Sequence, residues 1–315
     1  MDTQVTEQID RLVANIEQVL YGKHEVVKLC VVGLLARGHI LIEDVPGIGK
    51  TTIAQGIARS IDCSFNRIQF TSDMLPSDIL GVSILDQKTN SFQFRPGPIF
   101  ANVVLADEVN RTPPKTQSAL LEAMSEFQVS VEGKPHPLPL PFLVLATQNP
   151  IEYEGTYTLP ESQLDRFVLR VEIGYPPDTD EMRIMRRRDP NKAMSALKPV
   201  LSTEELLRLQ DQVSDVLVED AVAEYMLTIV RRTREHDQVQ LGASPRGSLL
   251  YFEACQARAL VEGRDYVTPG DAKRMAEPVL GHRILIKSRG ADLSAAARER
   301  ARVITEIVKS VPVPE

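Results

Sequence analysis

The feature that most constrains the fold is a short apolar strand that runs directly into a glycine-rich turn and a helix. It is the segment "HILIEDVPGIGKTTIA", residues 39–54. A phosphate-binding loop has the pattern G-x-x-x-x-G-K-[ST], and Gly49, Lys50 and Thr51 match its second half. Asp44 stands where the first glycine is expected. By itself this match leaves two alternatives open, a nucleotide site and a glycine-rich turn without a ligand.

The phosphate-loop hypothesis assigns a task to each part of the turn. Successive backbone N–H groups would face phosphates at the amino end of the helix, and the glycines allow the conformations that this requires. Lys50 would contact the β- and γ-phosphates, and Thr51 would give its hydroxyl to Mg²⁺. Asp44 only has to leave the strand, and its side chain can bond to its own loop. The predicted cofactor-binding residues of this loop are Pro46, Gly47, Ile48, Gly49, Lys50, Thr51 and Thr52.

Apolar strands and amphipathic helices alternate over the first part of the chain. After "HILIE" the strands are "NRIQF", "NVVLA", "PFLVLAT" and "RFVLRVEI". Near-continuous apolar strands are typical of a parallel sheet with helices on both faces. Two segments with strand alternation, residues 79–100 and 127–141, predict hairpins before the third and fourth strands. From residue 176 onward the pattern is helical, so an α/β domain over 1–175 and an all-α domain over 176–315 are expected.

Polar side chains follow two of the predicted strands. Asp107 and Glu108 come directly after "NVVLA", and Asn149 follows "PFLVLAT". Ligands of open α/β folds bind at the carboxyl ends of the strands. There Asp107 would hold Mg²⁺ through water, and Glu108 would orient and polarise an attacking water. Asn149 would bridge the γ-phosphate and that water, although an Asn before Pro is in isolation more typical of a turn.

Two arginines lie in less obvious places. Arg166 follows Asp165 just before the fifth strand, where it forms either a surface ion pair or an arginine finger for the γ-phosphate of a neighbouring subunit. Arg246 opens a helix of the second domain in "GASPRGSLL". A cation at the amino end of a helix opposes the helix dipole, and a polyphosphate ligand would remove that conflict.

Composition excludes some classes of protein. The 315 residues carry a net charge of −7, which does not favour a nucleic-acid binder. The basic cluster "RIMRRRD", residues 183–189, is interpreted as a solvated face or an interface. Three well-separated cysteines without metal-ligand spacing indicate free thiols in a reducing compartment. No signal-peptide pattern and no apolar run long enough to span a bilayer are present, so a cytoplasmic protein without membrane insertion is expected.

Taken in order, the motifs resemble the MoxR family of AAA+ ATPases. The resemblance covers nearly the whole chain and rests on "EDVPGIGKTT", "VVLADEVNRTPPKTQSALLEAM", "LATQNPIEYEGTYTLPESQLDRF" and "SPRG". It implies a P-loop αβα sandwich followed by a helical lid, with ATP and Mg²⁺ as cofactors and hydrolysis to ADP and phosphate. The two hairpins would be the helix-2 insert and the pre-sensor-1 hairpin of this clade.

The resemblance also implies a role for each candidate residue. Lys50 and Thr51 would belong to the phosphate loop, Asp107 and Glu108 would form the Walker B pair, Asn149 would be sensor 1, Arg166 the arginine finger and Arg246 sensor 2. Tyr21 and Gly22 would line the adenine pocket, which the sequence alone does not show.

The function implied is that of an ATP-driven remodelling chaperone. It would form a homo-oligomer, a hexameric ring with its sites between subunits, and ATP binding would close the lid onto the nucleotide through Arg246. Hydrolysis would move the hairpins against a protein client, and a protein with a von Willebrand factor A domain would be the partner. Three alternatives stay open: an ATPase for nucleic acid, the ATPase subunit of a metal chelatase, and a nucleotide-gated binding module that barely turns over.

Overall fold

The computed structural model describes residues 3–88, 90–149, 156–186, 190–287 and 293–314, without the side chains of 190, 191, 293 and 294. Part of the basic cluster (187–189) and the residue after Asn149 lie outside this range. The strands are β1 (His39–Glu43), β2 (Phe65–Gln69), β3 (Gly81–Asp86), β4 (Ser91–Pro96), β5 (Val103–Asp107), β6 (Gln128–Val131), β7 (Lys134–Pro137), β8 (Leu143–Gln148), β9 (Phe167–Val171), β10 (Val239–Leu241) and β11 (Leu285–Ile286).

Helices connect and follow these strands. They are α1 (Thr3–Glu17), α2 (His24–Leu35), α3 (Lys50–Ser60), α4 (Pro76–Leu80), α5 (Pro114–Glu126), α6 (Glu161–Leu164), α7 (Asp178–Arg186), α8 (Pro190–Ala196), α9 (Thr203–Gln212), α10 (Asp220–Glu235), α11 (Pro245–Val261), α12 (Pro269–Leu280) and α13 (Leu293–Ser310). Short 3-10 turns cover Val109–Arg111 and Val213–Asp215.

The central sheet is parallel and five-stranded, in the order β2-β5-β8-β1-β9. Successive side chains of a strand point to opposite sides, and four of the strands, β1, β5, β8 and β9, are buried on both, whereas β2 at the margin of the sheet is partly exposed. In β5, Val103 and Leu105 pack with α1, α2 and α3, whereas Val104 and Ala106 pack with α5. The predicted fold class, a helix-covered parallel sheet followed by a helical domain, is confirmed.

All strands of the sheet run in the same direction, so the sheet has two chemically different edges. We name the carboxyl edge by the last residues of its strands, Glu43, Gln69, Asp107, Gln148 and Val171. The amino edge is formed by the first residues, His39, Phe65, Val103, Leu143 and Phe167. A strand of five residues rises about 3.3 Å per residue, so the two edges lie about 13–16 Å apart.

Both predicted hairpins are present as antiparallel pairs, β3 with β4 and β6 with β7. They also touch each other, because the Phe94 ring stacks on His136 with 3.8 Å between ring centroids. The outer part of the first hairpin is apolar and exposed: Ile84, Leu85 and Phe92 are 41%, 46% and 67% exposed.

The helical domain packs against the amino edge and the last strand, through α11 and α12 on β9 and α11 on α2. It contains one feature that the sequence did not predict, the short antiparallel pair of β10 and β11. Strands of two and three residues are too short to show a period-2 pattern. The division at residue 175 stays a prediction. No helix in the described ranges is long and apolar enough to cross a membrane.

Candidate nucleotide-binding site

The glycine-rich turn leads directly from β1 into α3. Gly47 and Gly49 have φ values of +86° and +102°, in the region that favours glycine. A Cβ on Gly47 would meet nothing within 4 Å, so backbone conformation alone requires glycine there. The Nζ of Lys50, the first residue of α3, donates to the backbone carbonyl of Asp44 and thereby holds the side chain over the turn.

Asp44, which replaces the first glycine of the pattern, is bonded on both carboxylate oxygens. Its Oδ1 accepts from the backbone N–H of Val45 at 2.8 Å, as expected for a side chain that bonds to its own loop. Its Oδ2 accepts from the backbone N–H of Gly174 at 2.6 Å, a contact that the sequence did not predict. The carboxylate therefore connects the start of the phosphate loop to the segment that follows β9.

Asp107 ends β5 at the carboxyl edge and is held by two neighbours. The hydroxyl of Thr147 donates to Oδ1 at 2.6 Å, and Arg67 donates to Oδ2 from Nη2 at 2.5 Å and from Nε at 3.1 Å. Both partners come from the strands on either side, β8 and β2. The guanidinium of Arg67 thus pairs with the Asp107 carboxylate, so this position accommodates a positive charge.

Glu108 leaves the strand in an unusual conformation, with φ +60° and ψ +48°. Its backbone N–H donates to the Thr147 hydroxyl at 2.9 Å. Its Oε2 accepts from Gln69 Nε2 at 2.8 Å and pairs with Arg111 Nε at 3.0 Å. The turn projects the carboxylate past the edge of the sheet, where Gln69 and Arg111 fix its direction.

Sequence reasoning did not identify Arg67, Gln69, Arg111 and Thr147, although two of them left a signal. Gln69 and Thr147 are polar residues at or near the ends of strands that flank β5. Asn149 immediately follows β8 and is 6% exposed, so it occupies the same edge, as predicted.

Tyr21 and Gly22 approach the phosphate loop from the end of α1. A Cβ on Gly49 would lie 2.9 Å from Leu20 Cδ1, which places this segment directly against the turn. Gly22 has φ +67°, and a Cβ there would lie 2.5 Å from a carboxylate oxygen of α7. The guanidinium of Arg183, also in α7, lies 5.2 Å from the centre of the Tyr21 ring.

The two arginines lie at the other edge. Arg166 precedes β9, and its Nη1 donates to the Leu121 carbonyl at 2.7 Å and to the Ser125 hydroxyl at 2.6 Å, both in α5. Arg246 is exposed in the first turn of α11. Both side chains line one cavity of about 610 Å³ at the amino edge, together with His39 at the start of β1.

His39 is neutral in this cavity wall. Burial, together with the nearby charge of Arg246, lowers its pKa to about 4, against the hydrogen bond to Met124, which raises it. Its Nε2 contacts the Met124 carbonyl at 2.9 Å, and its Nδ1 accepts from the Val144 N–H at 3.0 Å.

Arg246 lies at the amino edge, whereas the phosphate loop of its own chain follows the carboxyl end of β1. The sequence could not show this placement, because it depends on how the helical domain docks and not on the motif that contains Arg246. Closure of the lid onto the nucleotide through Arg246 stays a prediction.

Comparison with known proteins identifies the family and the two domains of the chain. The family model described as "ATPase family associated with various cellular activities (AAA)" matches residues 39–169, and the model of the AAA lid domain matches residues 231–307. The uncharacterized protein YeaC of Bacillus subtilis is 47% identical over 97% of this chain and 95% of its own length. Chaperone MoxR1 of Mycobacterium tuberculosis is 41% identical over 98% of this chain and 82% of its own.

A solved structure of a proposed ATPase from Cytophaga hutchinsonii superposes with a TM-score of 0.88 and 35% identity, over 99% of this chain and 96% of that one. The family matches identify ATP hydrolysis as the activity. The relatives support a chaperone function. The chain belongs to the MoxR family of AAA+ ATPases.

Proposed function

We propose that this chain is one subunit of a homo-oligomeric remodelling ATPase, a hexameric ring, in which each complete site combines two chains. The carboxyl edge of one chain would bind the nucleotide, and the amino edge of its neighbour would supply Arg166 and Arg246. One observation carries the proposal: both arginines line the same cavity at the edge opposite their own phosphate loop. Within the described residues neither of them pairs with a carboxylate, so both charges are available to a ligand from outside the chain.

At the carboxyl edge each side chain has a task set by its position. Lys50 and the backbone of the turn would hold the phosphates at the amino end of α3. Glu108, directed by Gln69 and Arg111, would orient the attacking water and take up its proton. Asn149 would hold that water and the γ-phosphate in line.

The oxygen donors at this edge fit Mg²⁺. A carboxylate and a hydroxyl are ligands that this hard cation prefers, and Asp107 and Thr51 supply them from the end of β5 and the first turn of α3. Thr147 orients the carboxylate oxygen Oδ1. When bound, Mg²⁺ would neutralise charge on the β- and γ-phosphates.

The two hairpins are the proposed contact with a protein client. They stack on each other through Phe94 and His136, and they present an exposed apolar tip. Few basic side chains accompany this apolar surface, Lys88 and Arg95 in one hairpin and Lys134 in the other, so a polypeptide suits it better than a nucleic acid. We propose a partner with a von Willebrand factor A domain by likeness to the family alone.

Mixing two inactive variants tests the shared site. Glu108→Gln should bind ATP without hydrolysing it, and Arg166→Ala should lose about 100-fold or more of the wild-type kcat because it removes positive charge from the transition state. Mixed oligomers should recover activity, since a Glu108→Gln subunit donates an intact arginine to the site of an Arg166→Ala neighbour. Arg231→Ala, an exposed arginine of α10, is the matched control and should keep the wild-type rate.

Two results would contradict the proposal. One is an assembled Arg166→Ala enzyme with the wild-type kcat, and the other is a mixture no more active than its components. A salt-sensitive stimulation of hydrolysis by DNA would instead favour the nucleic-acid alternative.

A further inference from the structure

A group of three polar side chains, one buried and two half-buried, connects the two arginine-bearing segments at the amino edge. We call it the clamp, and it consists of Asp165, Ser244 and Arg283. Asp165 immediately precedes Arg166 in the α/β domain. In the helical domain, Ser244 lies two residues before Arg246, and Arg283 follows α12.

Arg283 is the centre of the clamp, and its side chain is only 1% exposed. Its Nε donates to Asp165 Oδ1 at 2.9 Å, and its Nη2 donates to the backbone carbonyls of Asp165, at 3.3 Å, and Phe167. Its Nη1 donates to the Val168 carbonyl at 3.3 Å. Burial lowers the pKa of this guanidinium to about 10, while Asp165 opposes the shift, so the group stays charged at neutral pH. The charge of Arg283 is therefore held against the backbone on both sides of Arg166.

The second oxygen of Asp165 reaches the lid. Its Oδ2 accepts from the Ser244 hydroxyl at 2.8 Å, and the same hydroxyl caps α11 by accepting from the Gly247 N–H at 3.0 Å. A Cβ on Gly247 would lie 2.9 Å from Arg283 Cδ, so the first turn of α11 rests directly on the buried arginine. One carboxylate thus fixes both the residue before Arg166 and the turn that carries Arg246.

We infer that the clamp sets the position of Arg166 relative to Arg246, so that both side chains reach the nucleotide of the neighbouring subunit together. This inference rests on the proposed function, in which these arginines act across an interface. Arg283 and Asp165 are then positioning residues that touch no nucleotide. The physical reason is that a charged donor stabilises a transition state only when it is placed within a fraction of an ångström. The described contacts of the Arg166 side chain are both to α5, so the backbone that carries it has to be positioned by its neighbours.

The lid offers a matched control for the test. Asp271 also pairs with an arginine, Arg264, at 2.6 and 2.7 Å, and also bonds to the hydroxyl that caps its helix, Thr268 at 2.6 Å. That group lies at the start of α12 and does not line the amino-edge cavity. Asp271→Asn should therefore destabilise the lid without moving either Arg166 or Arg246.

The experiment compares Asp165→Asn with Asp271→Asn in the full chain, by Tm, oligomeric state, kcat and KM for ATP. We expect Asp165→Asn to lower kcat about 10- to 100-fold with KM within about twofold, because its own phosphate loop is untouched. Asp271→Asn should lower Tm with kcat within about twofold. Mixing Asp165→Asn with Glu108→Gln should restore hydrolysis, because the defect lies in the face that a subunit donates.

A milder pair keeps the test decisive if Asp165→Asn does not fold. Ser244→Ala removes one contact to Asp165 and one helix cap, and Thr268→Ala removes the equivalent contacts at α12. Only Ser244→Ala should lower kcat, and mixing with Glu108→Gln should restore it.

Two outcomes would overturn the inference. In the first, an assembled Asp165→Asn or Ser244→Ala enzyme keeps the wild-type kcat. In the second, its lost activity is not restored by Glu108→Gln subunits. If Arg166→Ala loses activity and is rescued in the same assay, the proposed function stands and only the clamp is rejected. If Arg166→Ala keeps the wild-type kcat, both fail.

Discussion

The two edges of the central sheet carry charge in opposite ways. At the carboxyl edge the acidic groups are already matched, since Asp107 pairs with Arg67 and Glu108 pairs with Arg111. At the amino edge the side chain of Arg166 donates, within the described part of the chain, to a carbonyl and a hydroxyl of α5, and the buried charge beside it, Arg283, pairs with the carboxylate of Asp165. At the carboxyl edge these two carboxylates are therefore paired with arginines of the same chain. At the amino edge the guanidinium of Arg166 can pair with an anion from another molecule.

This difference between the two edges explains why, in the proposed assembly, one chain would supply only half of a catalytic site. A polyphosphate needs backbone N–H groups and a cation on one side, which the phosphate loop supplies with Lys50. Charge that develops on the γ-phosphate needs further cations on the opposite side. Those cations lie a strand length away from the loop of their own chain, so a second chain is the shortest way to bring them there.

Arg246→Ala tests whether the amino edge serves the site of a neighbouring chain and not that of its own. We expect kcat of the assembled enzyme to fall about 10- to 100-fold, because a charged donor to the neighbour's phosphates is lost. ATP binding to the dissociated subunit should stay within about twofold, since Arg246 is remote from its own phosphate loop. Single-turnover hydrolysis and ATP titration of the monomer would measure the two effects. If the variant monomer bound ATP more weakly than the wild-type monomer, Arg246 would act in the nucleotide site of its own chain, and the prediction would be wrong.

The protonation of His39, at the amino edge, should make the stability of the fold depend on pH. Its pKa is about 4 in the folded chain and about 6.5 when unfolded, so the unfolded chain binds more protons between these values. The stability that neutral His39 contributes is complete above pH 6.5 and falls by about 1.4 kcal/mol per pH unit as pH drops toward 4. Urea unfolding of the wild type and His39→Gln at pH 7.5, 6.5 and 5.5 would measure it. Equal slopes for the two proteins would rule out this contribution.

The carboxyl edge could be predicted from sequence because its residues are local to their strands. Lys50 begins the helix that follows β1, and Asp107 and Glu108 follow β5, so a strand pattern and a motif suffice to place them. The partners of these groups could not be predicted in the same way. Gln69 reaches Glu108 because β2 lies beside β5. The local sequence of neither strand indicates which strands are neighbours in the sheet.

The amino edge was harder to predict because it depends on docking between domains. "SPRG" indicates a helix start, and Ser244 does cap α11. Nothing local shows that α11 packs against the amino edge and away from the phosphate loop of its own chain. The same holds for Arg283, whose partner Asp165 is 118 residues away in the sequence. Buried ion pairs of this range leave no periodic pattern.

Asp44→Gly should have the smallest effect and tests how far the loop depends on its unusual residue. The variant restores the usual first glycine but removes the bonds to the N–H groups of Val45 and Gly174. Lys50 keeps its contact, because that contact uses a backbone carbonyl. We expect the Kd for ATP to stay within about threefold and the free energy of unfolding to fall by about 2 kcal/mol, since the net value of each of the two bonds is about 1 kcal/mol. Asp44→Asn, which keeps an acceptor, is the control. If Asp44→Gly weakens ATP binding more than about tenfold and Asp44→Asn does not, the link to Gly174 would be part of the nucleotide site and not merely of the strand exit.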